Sequence, residues 1–95
     1  MAMRVHLDGD LITTEAEFHS ALRDASGIDW YGGNLDALFD LLVGVVDPPI
    51  ELHWTSAERS RAAIGERFDR IVTVILDAVA ERGADKLRFT LEAGQ

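Results

Sequence analysis

The stretch WYGGNLDALFD, residues 30–40, decides how the middle of the chain folds and which surface it presents. Two aromatic residues and two glycines lead to Asn34, a residue type that favours the position just before a helix. The helical pattern after it carries Asp36 and Asp40, four positions apart. Carboxylates at this spacing share one helix face and repel each other. Helix stability alone would not select this pair, so the acidic face needs another explanation.

The two faces of this predicted second helix differ in composition. The pattern runs from Asn34 to about Val43, with Gly44 at its C-terminal side. At about 100° per residue, an apolar sector that we expect to lie in the core contains Leu35, Leu38, Leu41, Leu42 and Val45. The opposite sector contains Asp36, Asp40, Val43 and Gly44, with Phe39 at its border. The outward face therefore combines two carboxylates with a small apolar surface.

Three interpretations of the acidic face remain open from these residues. The first is a solvated face: the helix dipole favours an anion in the first turn, which accounts for Asp36 but not for Asp40. The second is a carboxylate pair for acid–base or glycosidic chemistry. It would need a cleft wall that raises one pKa, and an exposed helix face offers none. The third is a protein-binding face whose acids meet a partner's basic site.

The loop before the helix favours the protein-binding interpretation. Trp30 and Tyr31 are large amphipathic side chains beside two glycines, which permit turns and close backbone approach. Aromatic residues are enriched among interface anchors, although rings in such a loop can also pack over the core. Taken with the acidic face, the pattern predicts that Trp30 and Tyr31 form part of a contact surface.

The remaining segments predict the fold class. Strand patterns cover residues 3–7, PPIELHW and KLRFTL. Helix patterns fill the connections between them, over about 14–25, 34–43, 55–64 and 66–82. In the resulting order β-α-α-β-α-α-β, each connection is long enough for a right-handed crossover. We therefore expect residues 1–95 to form a single small α/β domain, a three-stranded parallel sheet packed with about four helices.

Two capping boxes mark helix starts in this order. Thr14 with Glu17 opens the first helix, which Ser26 and Gly27 close. Thr55 with Glu58 has the same spacing and predicts the start of the third helix. Trp54, at the end of the preceding strand, is expected to lie in the core.

Composition and charge limit the classes of function. The formal net charge of −8 argues against direct nucleic-acid binding, which needs lysine and arginine against phosphates. The same charge fits a basic protein partner, or solubility alone. No apolar run is long enough to cross a membrane and no signal-peptide pattern is visible. We therefore expect a cytoplasmic location and no membrane partner.

Metal and cofactor chemistry find little support in the sequence. The chain has no cysteine, which leaves no thiolate nucleophile and no cysteine-type zinc site. His6, His19 and His53 are not at a spacing typical of metal ligands. We expect no metal, no cofactor and no catalytic residue.

Residues 30–40 resemble the motif of the barstar family, aromatic-Tyr-Gly-x-Asn-Leu-Asp-Ala-Leu-aromatic-Asp. The similarity continues through RVHLDGDLI, Phe18-His19, PPIELHW and DAVAERGAD, and so covers almost the whole chain. Members of this family are intracellular inhibitors of secreted bacterial ribonucleases. The resemblance implies a three-stranded parallel sheet with four helices, a 1:1 complex with a ribonuclease, no enzymatic activity, and a cis peptide bond between Pro48 and Pro49. A free monomer is expected.

The resemblance also implies a binding surface on this chain. Its implied contacts are Trp30, Asn34, Asp36, Phe39, Asp40, Gly44 and Val45, with Asp77 of the fourth helix at the edge. Asp40 takes the place of the family's central acid, which enters the enzyme's pocket for an RNA phosphate. The clustered acids would thus act as phosphate mimics.

The chain departs from the family pattern at four of these contacts. Trp30 stands where the family has tyrosine, Phe39 and Val45 stand where it has tryptophan, and Asp77 replaces a glutamate. These differences favour a guanyl-preferring ribonuclease related to the family's known target over that target itself. Two alternatives stay open: an immunity protein against a different nuclease toxin, and a small α/β enzyme or regulatory domain that shares only the fold.

Overall fold

A computed structural model describes residues 3–94 of the chain. Its elements, in chain order, are β1 (Met3–Asp8), α1 (Glu15–Ser26), α2 (Leu35–Asp40), a π-helical segment that continues α2 (Leu41–Val45), β2 (Ile50–Thr55), α3 (Ala57–Ile64), α4 (Glu66–Arg82) and β3 (Leu87–Leu91). The peptide bond between Pro48 and Pro49, just before β2, is cis, as the family resemblance implied.

The three strands form one parallel sheet in the order β1-β2-β3. Val5 pairs with Leu52, and Leu52 pairs with Phe89 across the next ladder. Two helices occupy each crossover, which confirms the predicted order and the α/β class. Crossovers of one hand between strands in this order place all the helices on the same side of the sheet.

Side chains alternate between the two faces of this sheet. The helix-covered face carries the buried residues Val5, Leu7, Ile50, Leu52, Trp54 and Leu87. The other face carries the polar residues Arg4, His6, Glu51, His53, Arg88 and Thr90, all at least partly exposed. The core therefore lies between the sheet and the helices, and α2 belongs to the layer that covers it.

Trp54 lies at the centre of this core, as the sequence predicted. Its ring stacks on Phe18, with centroids 5.1 Å apart, and meets the edge of Phe68 at 5.0 Å. The indole Nε1 donates a hydrogen bond of 3.0 Å to the Ser60 hydroxyl, which in turn donates to the carbonyl oxygen of Ile12 at 2.8 Å. The indole nitrogen of Trp54 and the hydroxyl of Ser60 are thus both paired, which avoids the cost of an unmet donor at these two residues.

The two predicted capping boxes have different outcomes. The Thr14 hydroxyl accepts a hydrogen bond from the Glu17 amide at 3.1 Å, and α1 begins as predicted. The prediction for Thr55 and Glu58 is wrong, because Thr55 still belongs to β2 and Ser56 is the residue that precedes α3, without a side-chain cap. The first amides of α3 instead donate to the backbone carbonyls of Glu92 and Ala93, at 2.8 and 3.2 Å. The segment that follows β3 therefore caps α3 in place of a side chain.

Candidate protein-binding surface

Local interactions that the sequence predicts fix the start of α2. Asn34 has an extended backbone, and its Oδ1 accepts a hydrogen bond of 2.8 Å from the Ala37 amide. Gly33 has a φ of 71°, a conformation that disfavours any residue with a Cβ. Leu38 is buried and turns the helix so that Asp36 and Asp40 face solvent. The cap, the glycine and the buried leucine together set the direction of the acidic face.

The end of this helix departs from the prediction. The chain widens into a π-helical turn at residues 41–45, in which the Val46 amide donates to the Leu41 carbonyl oxygen, 3.2 Å away. A turn closed five residues apart holds one residue more than an α-helical turn, so the residues in it shift around the helix axis. Gly44 accordingly lies inside the helical segment and not beyond its end.

This shift corrects two positions of the predicted helical wheel. The wheel predicts Val45 in the core sector, but the residue is exposed, with 38% of its surface accessible. The wheel predicts Val43 on the outward face, but the residue is half-buried and packs against the core. Leu38, Leu41 and Leu42 are buried as predicted, whereas Leu35 is only partly so. Val45 therefore joins the accessible surface beside the acidic face.

Asp36 and Asp40 are both exposed. Within residues 3–94, no basic side chain lies within 4.0 Å of either carboxylate. Two arginines that hold this region direct their guanidinium groups at backbone carbonyls: Arg23 at Tyr31, and Arg82 at the π-helical segment. The negative charge of the acidic face is thus left without an ion pair in the free protein.

The two aromatic residues before the helix have opposite environments. Trp30 is 71% exposed, as expected of a contact residue. Tyr31 is only 3% exposed, and its hydroxyl lies 2.5 Å from His19 Nδ1, so the prediction that it forms part of the surface is wrong. Its burial depends on a partner twelve positions earlier in the chain, which no local pattern reveals.

A small cavity of about 150 Å³ opens between the loop and the helix. It is lined by Trp30, Tyr31, Gly32, Ala37, Asp40, Leu41 and Val45. Its walls are mostly apolar and it contains one carboxylate, that of Asp40. A side chain with an apolar body and a positively charged or hydrogen-bond-donating end would suit such a cavity.

The other predicted contacts lie around this cavity or on the neighbouring helix. Asn34 and Gly44 are exposed, and Phe39 is half-buried against the core. A Cβ added at Gly44 would meet nothing within 4 Å, so neither crowding nor a positive φ explains glycine there. Asp77 is exposed on α4, which packs along α2 and the π-helical segment.

Sequence reasoning missed the residues that hold this surface in place. Arg82 Nη1 donates to the carbonyl oxygens of Leu42 and Val46, each at 2.7 Å. Arg23 Nη2 donates to the carbonyl oxygen of Tyr31 at 2.9 Å. A basic residue in the last turn of a helix, as Arg82 is, often binds free carbonyls, but the identity of those carbonyls depends on tertiary packing.

The described residues offer no sign of a metal centre or a membrane span. Over residues 3–94, no group of three or more histidine, cysteine or acidic side chains is placed to hold a metal ion. In the same part of the chain, no helix is both long and apolar enough to cross a membrane.

Comparisons with known proteins agree with the fold and with the motif. The family model described as "Barstar (barnase inhibitor)" matches residues 2–93. The "Putative ribonuclease inhibitor YrdF" of Bacillus subtilis (strain 168) is 35% identical over 90 residues, which cover 94% of this chain and 98% of that protein. This chain belongs to the barstar family.

Proposed function

We propose that this protein inhibits a microbial, guanyl-preferring extracellular ribonuclease by covering its active site. Membership of the barstar family and the name of the Bacillus relative support a ribonuclease inhibitor role. The observation that carries the finer proposal is the exposed pair Asp36 and Asp40, left without ion pairs next to the Trp30 cavity. The protein itself would cleave no RNA.

Phosphate mimicry explains why the acids are clustered and left unpaired. A ribonuclease must hold RNA phosphates, and arginine side chains bind phosphate and carboxylate with the same fork of donors. Asp40 lines the cavity and is exposed, so a partner's basic groups could reach its carboxylate. Asp36, one turn earlier, and Asp77, on α4, would extend the negative potential over a wider area.

Two features of this surface lower the stability of the free protein, which supports a binding role. The repulsion between Asp36 and Asp40 is worth about 0.2–0.5 kcal/mol. A glycine within a helix, as at Gly44, costs about 0.5–1 kcal/mol relative to alanine. The helix dipole favours Asp36 in the first turn but gives Asp40 little help, and the free chain gains nothing visible from glycine at position 44. An acidic surface with a small residue beside it would benefit a partner that approaches closely.

Partner choice would depend on the apolar contacts. Trp30, Phe39 and Val45 surround the acids and differ from the residues usual in the family. The aspartate side chains would bind the basic groups with which all ribonucleases hold phosphate. The shape of the apolar side chains around them would discriminate between one ribonuclease and another. The proposal therefore favours a ribonuclease related to the family's known target over that target itself.

A titration tests the proposal. Purified protein is added to each of a panel of guanyl-preferring extracellular ribonucleases, and RNA cleavage is followed with a fluorescent substrate. The proposal predicts that cleavage by at least one enzyme ends at about one inhibitor per enzyme. Full activity of the whole panel in excess protein would contradict it, and testing nuclease toxin domains in the same assay would then examine the immunity-protein alternative.

A further inference from the structure

Helix α1 presents three polar side chains in a row towards the loop that carries Trp30. Glu15, His19 and Arg23 follow one another at intervals of four residues and so share one helix face. We call them the polar stripe. His19 is only 4% exposed, which is unusual for a polar residue and requires hydrogen-bond partners.

Tyr31 supplies one of those partners, and it is the donor when the imidazole of His19 is neutral. His19 Nε2 lies 2.9 Å from Glu15 Oε2. A carboxylate can only accept, so Nε2 carries the hydrogen and donates. In the neutral imidazole Nδ1 then accepts, and the Tyr31 hydroxyl, 2.5 Å away, donates to it. Burial raises the pKa of the Tyr31 phenol, which keeps it in the donating form.

The polar stripe is hydrogen-bonded to α4 at one end and to the loop at the other. Arg67 Nε donates to Glu15 Oε1 at 2.6 Å, which ties the first member of the stripe to α4. Arg23 Nη2 donates to the Tyr31 carbonyl oxygen at 2.9 Å. A Cβ added at Gly33 would come within 3.3 Å of the same Arg23 nitrogen, so the loop backbone lies directly against this side chain.

We propose that the polar stripe is a positioning element that fixes the loop from Trp30 to Asn34 before a partner binds. It holds Tyr31 by both its side chain and its backbone. Trp30, just before Tyr31, and Asn34, three positions after it, are proposed contacts. An ordered loop does not lose its conformational freedom on binding, and this improves affinity without adding any contact. The inference rests on the proposed inhibitor function, but the state of the loop can be measured without a partner.

Three variants test this inference. Tyr31→Phe removes only the hydroxyl that donates to His19, and Arg23→Met keeps the side-chain length but removes the bond to the Tyr31 carbonyl. Ser60→Ala is the matched control, because it removes buried hydrogen bonds to Trp54 and Ile12 in the core, with no link to the loop. Each variant is compared at a denaturant-free condition in which its unfolding curve shows it to be fully folded.

Two measurements are made on each variant. Hydrogen exchange of the loop amides in the free protein reports the order of the loop, and the inhibition constant reports binding. Tyr31→Phe and Arg23→Met should each raise the loop exchange rate and the inhibition constant about five- to tenfold. Ser60→Ala should lower the midpoint of unfolding while leaving both loop exchange and inhibition unchanged.

The outcomes separate the two proposals. Unchanged loop exchange in Tyr31→Phe and Arg23→Met would overturn the positioning role, and so would a Ser60→Ala variant that loses inhibition to the same extent. If the wild-type protein inhibits no ribonuclease, the proposed function fails. Faster loop exchange in the two stripe variants would still support the positioning of the loop in that case.

Discussion

Arg82, in the last turn of α4, donates a hydrogen bond of 2.7 Å to the carbonyl oxygen of Leu42 in the π-helical segment. The same nitrogen donates to Val46 at 2.7 Å. The final carbonyls of a helix have no partner within it, and this arginine, from a neighbouring helix, satisfies that of Leu42 and that of Val46, the residue just after the segment. The end of the proposed binding surface is therefore held by α4.

Removal of this link should destabilise the fold. Arg82→Met keeps the length of the side chain but loses both bonds, and a hydrogen bond from a charged group contributes about 1.5–3 kcal/mol. Because two such bonds are lost, we expect the free energy of unfolding in urea to fall by at least about 1.5–3 kcal/mol. Arg88→Met, on the open face of the sheet, is the control and should change it by less than about 0.5 kcal/mol. Equal losses in both variants would contradict the assigned role of Arg82.

Gly44→Ala should have opposite effects on stability and binding. The added methyl group meets nothing within 4 Å and the backbone φ is not positive, so helix propensity should raise the free energy of unfolding by about 0.5–1 kcal/mol. The same methyl group would obstruct a closely approaching partner and weaken inhibition. Gly27→Ala is the control: it also has open space, but its φ of 71° predicts a loss of stability. Unchanged inhibition in Gly44→Ala would remove this position from the surface.

Much of this surface could be predicted because its determinants are local. Asn34 caps α2 through a bond to a residue three positions later, and the helix order follows from caps and periodicity. The exposure of Val45 and the partial burial of Val43 could not be predicted, because a helical wheel with a constant angle per residue does not allow for a π-helical turn. The burial of Tyr31 could not be predicted either, since its partner His19 lies on α1 and not in the loop that carries Tyr31. Thr55 failed as a cap because pairing in the sheet extends β2 through it.

Acid should weaken the fold partly through Glu15. The hydrogen bond from Arg67 is the main cause that lowers the pKa of this carboxyl below its ordinary value of 4.5. A group with a lowered folded-state pKa contributes stability above its unfolded pKa, and that contribution is lost as the pH falls below 4.5 through the folded value. Urea unfolding at pH 7 and pH 3 should therefore show a smaller loss of stability in Glu15→Gln than in the wild type. Equal losses in both proteins would contradict this role.

Salt should slow the association with a ribonuclease. An acidic face that meets a basic active site attracts it over roughly a Debye length, about 10 Å at 0.1 M salt. The association rate should fall steeply between low and high ionic strength, and Asp36→Asn should flatten this dependence. Glu58→Gln removes the same charge from α3 and should leave the dependence nearly intact. A rate that does not respond to salt would contradict docking led by the acids.

The central claim is that Asp40 serves the partner at a cost to the free protein. Asp40→Ala removes a like-charge repulsion of about 0.2–0.5 kcal/mol and introduces the better helix former, worth up to about 0.7 kcal/mol. The free variant should therefore melt slightly higher. In the complex, the partner's buried basic groups would lose their counter-charge, and breaking a buried pair in this way costs about 3–5 kcal/mol.

The most direct test is the inhibition constant of Asp40→Ala against the ribonuclease that the wild-type protein inhibits, paired with a thermal melt of the free variant. We predict inhibition weakened by well over tenfold, mostly through faster dissociation, together with a melting temperature equal to or above that of the wild type. Unchanged inhibition would contradict the claim by removing Asp40 from the binding surface. A lower melting temperature would contradict it by showing that Asp40 stabilises the free fold.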